Sequence, residues 1–144
     1  MLRAHLFHAT PAMTRPEPPP PGLHDYLVLS RGHWDPALPP ATIQAAIDDF
    51  YVWYDRLLAE GRVLPGQRLA VEGRLVSRER TVDGPFSEAK EVVGGYWFFR
   101  AASLDEAAAL AAQNPCLACG LSYEVRPVEL ERASAFVRSN ETPR

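Results

Sequence analysis

Apolar residues recur at Ile43, Ala46, Ile47, Phe50, Trp53, Tyr54, Leu57 and Leu58. Steps of three and four place them on one face of a helix, with Asp48, Asp49, Asp55 and Arg56 mostly off it. Gly61 ends the helix where a left-handed residue is needed. Ahead of it, residues 25–30 (Asp-Tyr-Leu-Val-Leu-Ser) form a short run rich in strand formers, followed by a loop over residues 31–40. Residues 63–81 read as strand and turn. Their breaks fall at Pro65-Gly66 and Glu72-Gly73, and Leu69, Val71, Leu75 and Val76 are expected as apolar anchors. Asp83-Gly84-Pro85 is a turn signal, and residues 87–93 are expected to make one or two helical turns closed by Gly94-Gly95. Residues 96–100 form a strand. Ser103 and Glu106 make a capping box ahead of an alanine-rich helix that ends at Asn114-Pro115. Residues 122–128 are the last strand, and Pro127, which has no ladder donor, belongs at its edge or end.

The order is β-α-β-β-α-β, the ferredoxin-like pattern of an α+β fold with an antiparallel sheet. The strands carry apolar side chains on both faces. Tyr96 and Phe98 oppose Trp97 and Phe99, and Leu27 and Leu29 oppose Tyr26 and Val28. Two helices cover one face only, so the second face needs another cover. A second copy packed sheet to sheet as a C2 homodimer is the economical expectation; the chain's own arm or tail is the alternative.

The termini differ in composition. Nine of the 14 prolines fall between Pro11 and Pro40, four of them in the unbroken run Pro18, Pro19, Pro20 and Pro21, which favours polyproline II. Residues 1–22 are expected to be a disordered arm, 23–131 the domain and 132–144 a polar tail. His5 and His8 interrupt the only apolar pair near the start, so a secretory leader is not expected. Arg3 and Arg15 against Glu17 leave a faint transit-peptide character, and Met13 is an alternative start. A cytoplasmic location is expected. The 144 residues carry a net charge of −3. That argues against a nucleic-acid binder, which usually shows a basic surface, and against a polybasic membrane-surface protein. No apolar run reaches the roughly 18 residues of a membrane span.

The stretch Asp83-Gly84-Pro85-Phe86-Ser87-Glu88-Ala89-Lys90-Glu91-Val92-Val93-Gly94-Gly95-Tyr96 resembles the signature of the YCII-related (DGPF) family. The likeness extends through Ser103-Leu104-Asp105-Glu106-Ala107, Asn114-Pro115 and Glu124-Val125-Arg126-Pro127-Val128, spanning roughly residues 24–130. It implies a dimeric α+β barrel of ferredoxin-like subunits. It also implies kinship with small lyases, dehalogenating enzymes and muconolactone-isomerase-like proteins, for which a His–Asp acid/base pair has been proposed. Some members lie beside extracytoplasmic-function sigma factors, which implies a regulatory setting. Asp83 matches the aspartate of the motif. The family histidine lies near the start of the first helix, where this chain has Ala41-Thr42-Ile43-Gln44, so His33 in the preceding loop is the nearby candidate.

The candidate catalytic residues are therefore Asp83, as base, and His33, whose ordinary pKa suits a proton shuttle. Each has a plainer reading: Asp83 as a turn aspartate bonding to backbone amides, His33 as an exposed loop residue beside Trp34. Tyr96, Lys90 and Phe86 are the candidate substrate contacts. Ser87 and Lys90 share a Ser-x-x-Lys spacing, but Ser87 reads better as a helix cap. Cys116 and Cys119 form a Cys-x-x-Cys without a second pair or a nearby histidine, so structural thiols are expected. Arg74, Arg78 and Arg80 share strand parity and would attract an anion, diluted by Glu72 and Glu79. Gly94-Gly95 lacks the spacing of a phosphate loop, and neither cofactor nor metal is expected.

Two functions follow. One is a cofactor-independent lyase or isomerase acting on a small molecule between the sheet and the first helix, with Asp83 as acid/base. The other is a non-catalytic dimeric ligand-binding or accessory module linked to transcriptional regulation.

Overall fold

A computed structural model describes residues 17–85 and 92–144. The chain runs β1 (His24–Arg31), α1 (Pro40–Ala59), β2 (Val63–Leu64), β3 (Arg74–Val76), β4 (Thr81–Asp83), β5 (Val93–Ala101), α2 (Leu104–Ala111) and β6 (Ser122–Pro127), with a 3-10 helix at Pro115–Cys119. Four strands form one antiparallel sheet in the order β2-β5-β1-β6. With helices after its first and third strands, this is the ferredoxin-like subunit. The short hairpin β3-β4 is an insertion between β2 and β5 and forms a separate two-stranded sheet.

The first helix starts as its sequence requires, with Pro40 at the first helical position and the Pro39 carbonyl accepting from Thr42 N–H at 3.0 Å. It buries Trp53 and Leu57 fully and Phe50, Tyr54 and Leu58 in part. Gly61, at φ +74°, takes the left-handed position after it. The hydroxyl of Ser103 caps α2 by accepting from the Glu106 amide at 3.1 Å, and the Glu106 carboxylate reaches back to Ala102 N–H at 3.4 Å. That helix stops at Ala111, earlier than the sequence pattern predicts, because Asn114 caps the 3-10 turn, its side chain accepting from Cys116 N–H at 2.8 Å.

Strand alternation sorts the sheet into two faces. Tyr26, Val28, Trp97, Phe99 and Ala101 are buried on the face beneath the helices, with Val63. The core is mainly aromatic. Phe50, Tyr54 and Tyr123 surround the Trp97 indole at ring-centre distances of 5.4–5.7 Å from their neighbours in this cluster. Leu27, Leu29, Tyr96 and Phe98 are half-buried on the opposite face. Arg100 bonds to Asp25 at 3.0 Å and to the Glu17 carbonyl there, tying down the segment that leads into β1.

The inserted hairpin corrects one expectation. Leu69, Val71, Leu75 and Val76 are all exposed, Val71 at 79%. They lie on the insertion and the segment leading to it, outside the layer between sheet and helices, so they anchor nothing in the core. Two of the arginines there are occupied with near neighbours, Arg74 with Asp83 and Arg78 with Glu79. The helical turns expected over residues 87–93 fall mostly outside the described residues, and Val93 itself opens β5.

Candidate functional site

Ladder registers align the strands into lateral rows. Phe99 and Tyr26 stand opposite each other, with Val63 beside Phe99, and the next row joins Trp97, Val28 and Val125. Both rows are apolar and lie under α1. One step further, Arg68 faces Gly95, Gly95 faces Ser30, and Ser30 faces Tyr123. Directly opposed residues share a face, so these four project on the helix side. The sequence Arg68-Gly95-Ser30-Tyr123 is thus a polar row with a gap where the glycine has no side chain.

The gap is built into the backbone. Residues 67–69 lie close along β5, with Tyr96 N–H bonded to the Gln67 carbonyl at 3.0 Å and Leu69 N–H to the Gly94 carbonyl at 2.9 Å. A Cβ on Gly95 would lie 2.9 Å from the Gln67 oxygen and 3.2 Å from the Arg68 Cα. A Cβ on Gly66 would meet the Tyr96 carbonyl oxygen at 1.9 Å. These glycines serve close backbone approach rather than phosphate binding.

Above this row is a cavity of about 1170 Å³. Ile47, Phe50, Tyr51 and Tyr54 line it from α1, Cys116 from the 3-10 helix and Leu121 from just beyond it. Its rim includes His33 and Trp34. A smaller recess of about 690 Å³, lined by Arg31, Asp35 and Glu124, shares Gly32, His33, Trp34 and Tyr123 with it. The loop carrying His33 is lashed to the 3-10 helix, because Asp35 N–H bonds to the Cys119 carbonyl at 2.8 Å. Gly120, at φ +104°, makes that approach possible, since a Cβ there would lie 2.7 Å from the Asp35 nitrogen.

Burial holds three titrating groups of the cavity, Tyr54, Cys116 and Tyr123, in their protonated forms. Burial pushes the Tyr123 phenol well above the ordinary tyrosine value, with Cys116 adding to the effect; Ser30 and Asn114 also lie within reach of this phenol. Burial likewise raises Tyr54, opposed by a hydrogen bond from the Gly66 backbone. It raises Cys116, whose thiol is directed at the Ala46 carbonyl at 3.8 Å. The cavity therefore offers neutral hydroxyl and thiol donors at neutral pH, not a thiolate nucleophile.

His33 and Tyr96 both contribute to this wall, and Asp83 does not. The Asp83 side chain is 76% exposed and paired with Arg74 at 2.9 Å. Tyr96 packs edge-to-face on Phe98, and strand parity sends its ring to the face away from α1. Phe86 and Lys90 lie outside the described residues. Cys116 and Cys119 are both buried and reduced. Among the described residues, no group of three or more His, Cys, Asp or Glu could hold a metal, and no helix is long and apolar enough to cross a membrane.

Sequence reading missed Ser30, Arg68 and Tyr123. Their alignment depends on register across three strand interfaces. The one local signal was Gly94-Gly95, a pair of side-chain-free positions at the start of an otherwise aromatic strand.

The model of the YCII-related domain matches residues 26–130. The chain belongs to the YCII-related family. An uncharacterised protein of Rhizobium meliloti (strain 1021) is 34% identical over 90 residues, covering 60% of this chain and 70% of the relative. A 5-chloro-2-hydroxyhydroquinone dehydrochlorinase from Burkholderia phenoliruptrix AC1100, solved in complex with 2,5-dihydroxybenzoquinone, is 17% identical. It overlaps 73% of this chain and 93% of its own, with a TM-score of 0.41. The matched YCII-related domain contains all four residues of the polar row and all of α1.

Proposed function

We propose that this YCII-related protein binds a small organic molecule between α1 and the polar row of its sheet. The observation that carries this reading is the gap at Gly95, flanked by Arg68 and Ser30 and open to a cavity with aromatic walls. Binding sites for small molecules commonly combine apolar walls with a few converging polar groups. The three tryptophans supply an internal control. Trp34 and Trp97 line the cavity, whereas Trp53 is buried beside it and donates to Gln113 at 3.4 Å. A ligand found by thermal-shift screening is expected to move the indole NMR signals of Trp34 and Trp97 and leave Trp53 in place. Shifts confined to Trp53, or stabilising ligands that move none of the three, would remove the cavity from the function.

A second reading is a cofactor-independent lyase or isomerase. It is supported by His33 on the wall shared with Tyr123, where a proton shuttle would stand beside a neutral hydroxyl donor. Asp83 is the acid/base partner expected from the family motif, and its exposed position on the hairpin makes His33 the group at the cavity itself. Proton transfer predicts deuterium uptake from heavy water at the carbon next to a carbonyl of a bound ligand. Loss of that uptake in His33→Ala supports the reading; uptake no faster than in buffer counts against it.

A second copy of the chain is proposed as the cover of the far face, where Leu27, Leu29 and Phe98 are half-buried. Sedimentation at low micromolar concentration should give twice the 16.0 kDa chain mass. A lone monomer would contradict it.

A further inference from the structure

We infer that Arg68 selects an anionic ligand, so that the cavity takes a planar organic acid, a carboxylate or comparable oxyanion attached to a ring. This rests on the cavity being the binding site. Arg68 and Gly95 form a bridge whose flanking bonds run from Leu69 N–H to the Gly94 carbonyl and from Tyr96 N–H to the Gln67 carbonyl. In an antiparallel pair that pattern marks the closely spaced, non-hydrogen-bonded position, with both side chains on the same face. Gly95 belongs to the set that includes Trp97 and Phe99, so the Arg68 side chain starts on the helix side of the sheet. It meets the gap rather than the far face.

The charges around it are unequal. Among the described residues Arg68 has no ion pair, whereas Arg31, Arg56, Arg62, Arg74, Arg78, Arg100 and Arg126 are each within 4.0 Å of a carboxylate; Arg80, Arg132, Arg138 and Arg144 also lack one, but none of them lines the cavity. Glu72 is the acidic side chain on the same wall. Across the gap stand the Ser30 and Tyr123 hydroxyls, and burial keeps the Tyr123 phenol protonated. A guanidinium on one side and neutral donors on the other suit acceptor oxygens, the charged one at Arg68 and a second at Ser30 or Tyr123. The roof of Phe50, Tyr51 and Tyr54 suits the flat ring between them. A guanidinium recognises a carboxylate through a planar, charge-assisted fork.

Benzoate and benzamide test this with rings of one size and opposite charge character. Both are titrated into the full chain while the Trp97 indole signal is followed by NMR. Benzoate is expected to bind at least about tenfold more tightly than benzamide. The exposed variant Arg68→Gln should abolish that preference without lowering the melting temperature, and Arg68→Lys should retain part of it. Equal binding of the two compounds, or a preference that survives Arg68→Gln, would overturn the inference while leaving the cavity as a binding site. If neither compound moves the Trp97 signal, the inference and the reading beneath it both fall.

Discussion

Asp83 and Arg74 face each other across the β3-β4 hairpin, with Oδ1 of the carboxylate 2.9 Å from Nε of the guanidinium. Both side chains are more than half exposed. The motif aspartate is thereby held on the inserted hairpin, outside the cavity wall. Exposed pairs of this kind contribute about 0–1 kcal/mol. Asp83→Asn should therefore change unfolding stability by less than about 1 kcal/mol in urea. It should also leave the affinity of a cavity ligand unaltered. A marked loss of affinity would show that the carboxylate takes part in binding.

Two nearby glycines should respond in opposite ways to alanine. A Cβ at Gly66 would lie 1.9 Å from the backbone oxygen of Tyr96, which cannot yield without moving β5. Gly66→Ala should cost at least about 1–3 kcal/mol. At Gly94 the added methyl would sit 3.6 Å from Ser30 Oγ, an ordinary contact. Gly94→Ala should change stability by no more than about 1 kcal/mol, in either direction. Chemical denaturation of the two variants decides this, and equal losses would contradict the close approach described for residues 66–69.

Stability should fall in alkali. Burial raises Cys116, Tyr54 and Tyr123 above their unfolded values of 9.0, 10.0 and 10.0. In each case the folded chain retains a proton that the unfolded chain releases, so the contribution is complete below the unfolded value. It is lost as pH rises through the higher folded value. Urea midpoints measured from pH 7 upward should begin to fall near pH 9, with a steeper decline above 10. Tyr123→Phe should flatten the upper part of the curve. An unchanged slope in that variant would assign the alkaline loss to other groups.

The cap on α2 gives a simpler test. Ser103→Ala removes the acceptor for the Glu106 amide and should cost about 1 kcal/mol. Ser103→Asp, which keeps an acceptor and places a negative charge at the helix start, should restore most of it. Thermal unfolding of both variants measures the difference.

The elements were legible wherever a local pattern had one solution. The three-and-four spacing from Ile43 to Leu58 marked α1, the Ser103–Glu106 box marked the start of α2, and alternation in 96–100 divided the two faces of β5 correctly. Residues 63–81 were harder. Leu69, Val71, Leu75 and Val76 have the composition of strand anchors, yet nothing in that segment alone says that it leaves the sheet as an insertion. The site was legible only in part. His33, singled out as the nearby candidate for the family histidine, lies at the cavity, whose place beside α1 followed from the fold. Arg68, Ser30 and Tyr123 come together through three pairings between segments far apart in the chain. No local spacing encodes such a row.

The polar row adjoins the Trp97 row, two residues further along the same strands. Phe99 and Leu57, which clamp the first helix to the sheet, are distinct from Arg68, Ser30 and Tyr123 at the cavity floor, while Trp97 belongs to both sets. Mutations at the floor can retune selectivity while the clamp stays intact. A lineage built on this layout has room to exchange one recognised molecule for another without passing through an unfolded ancestor.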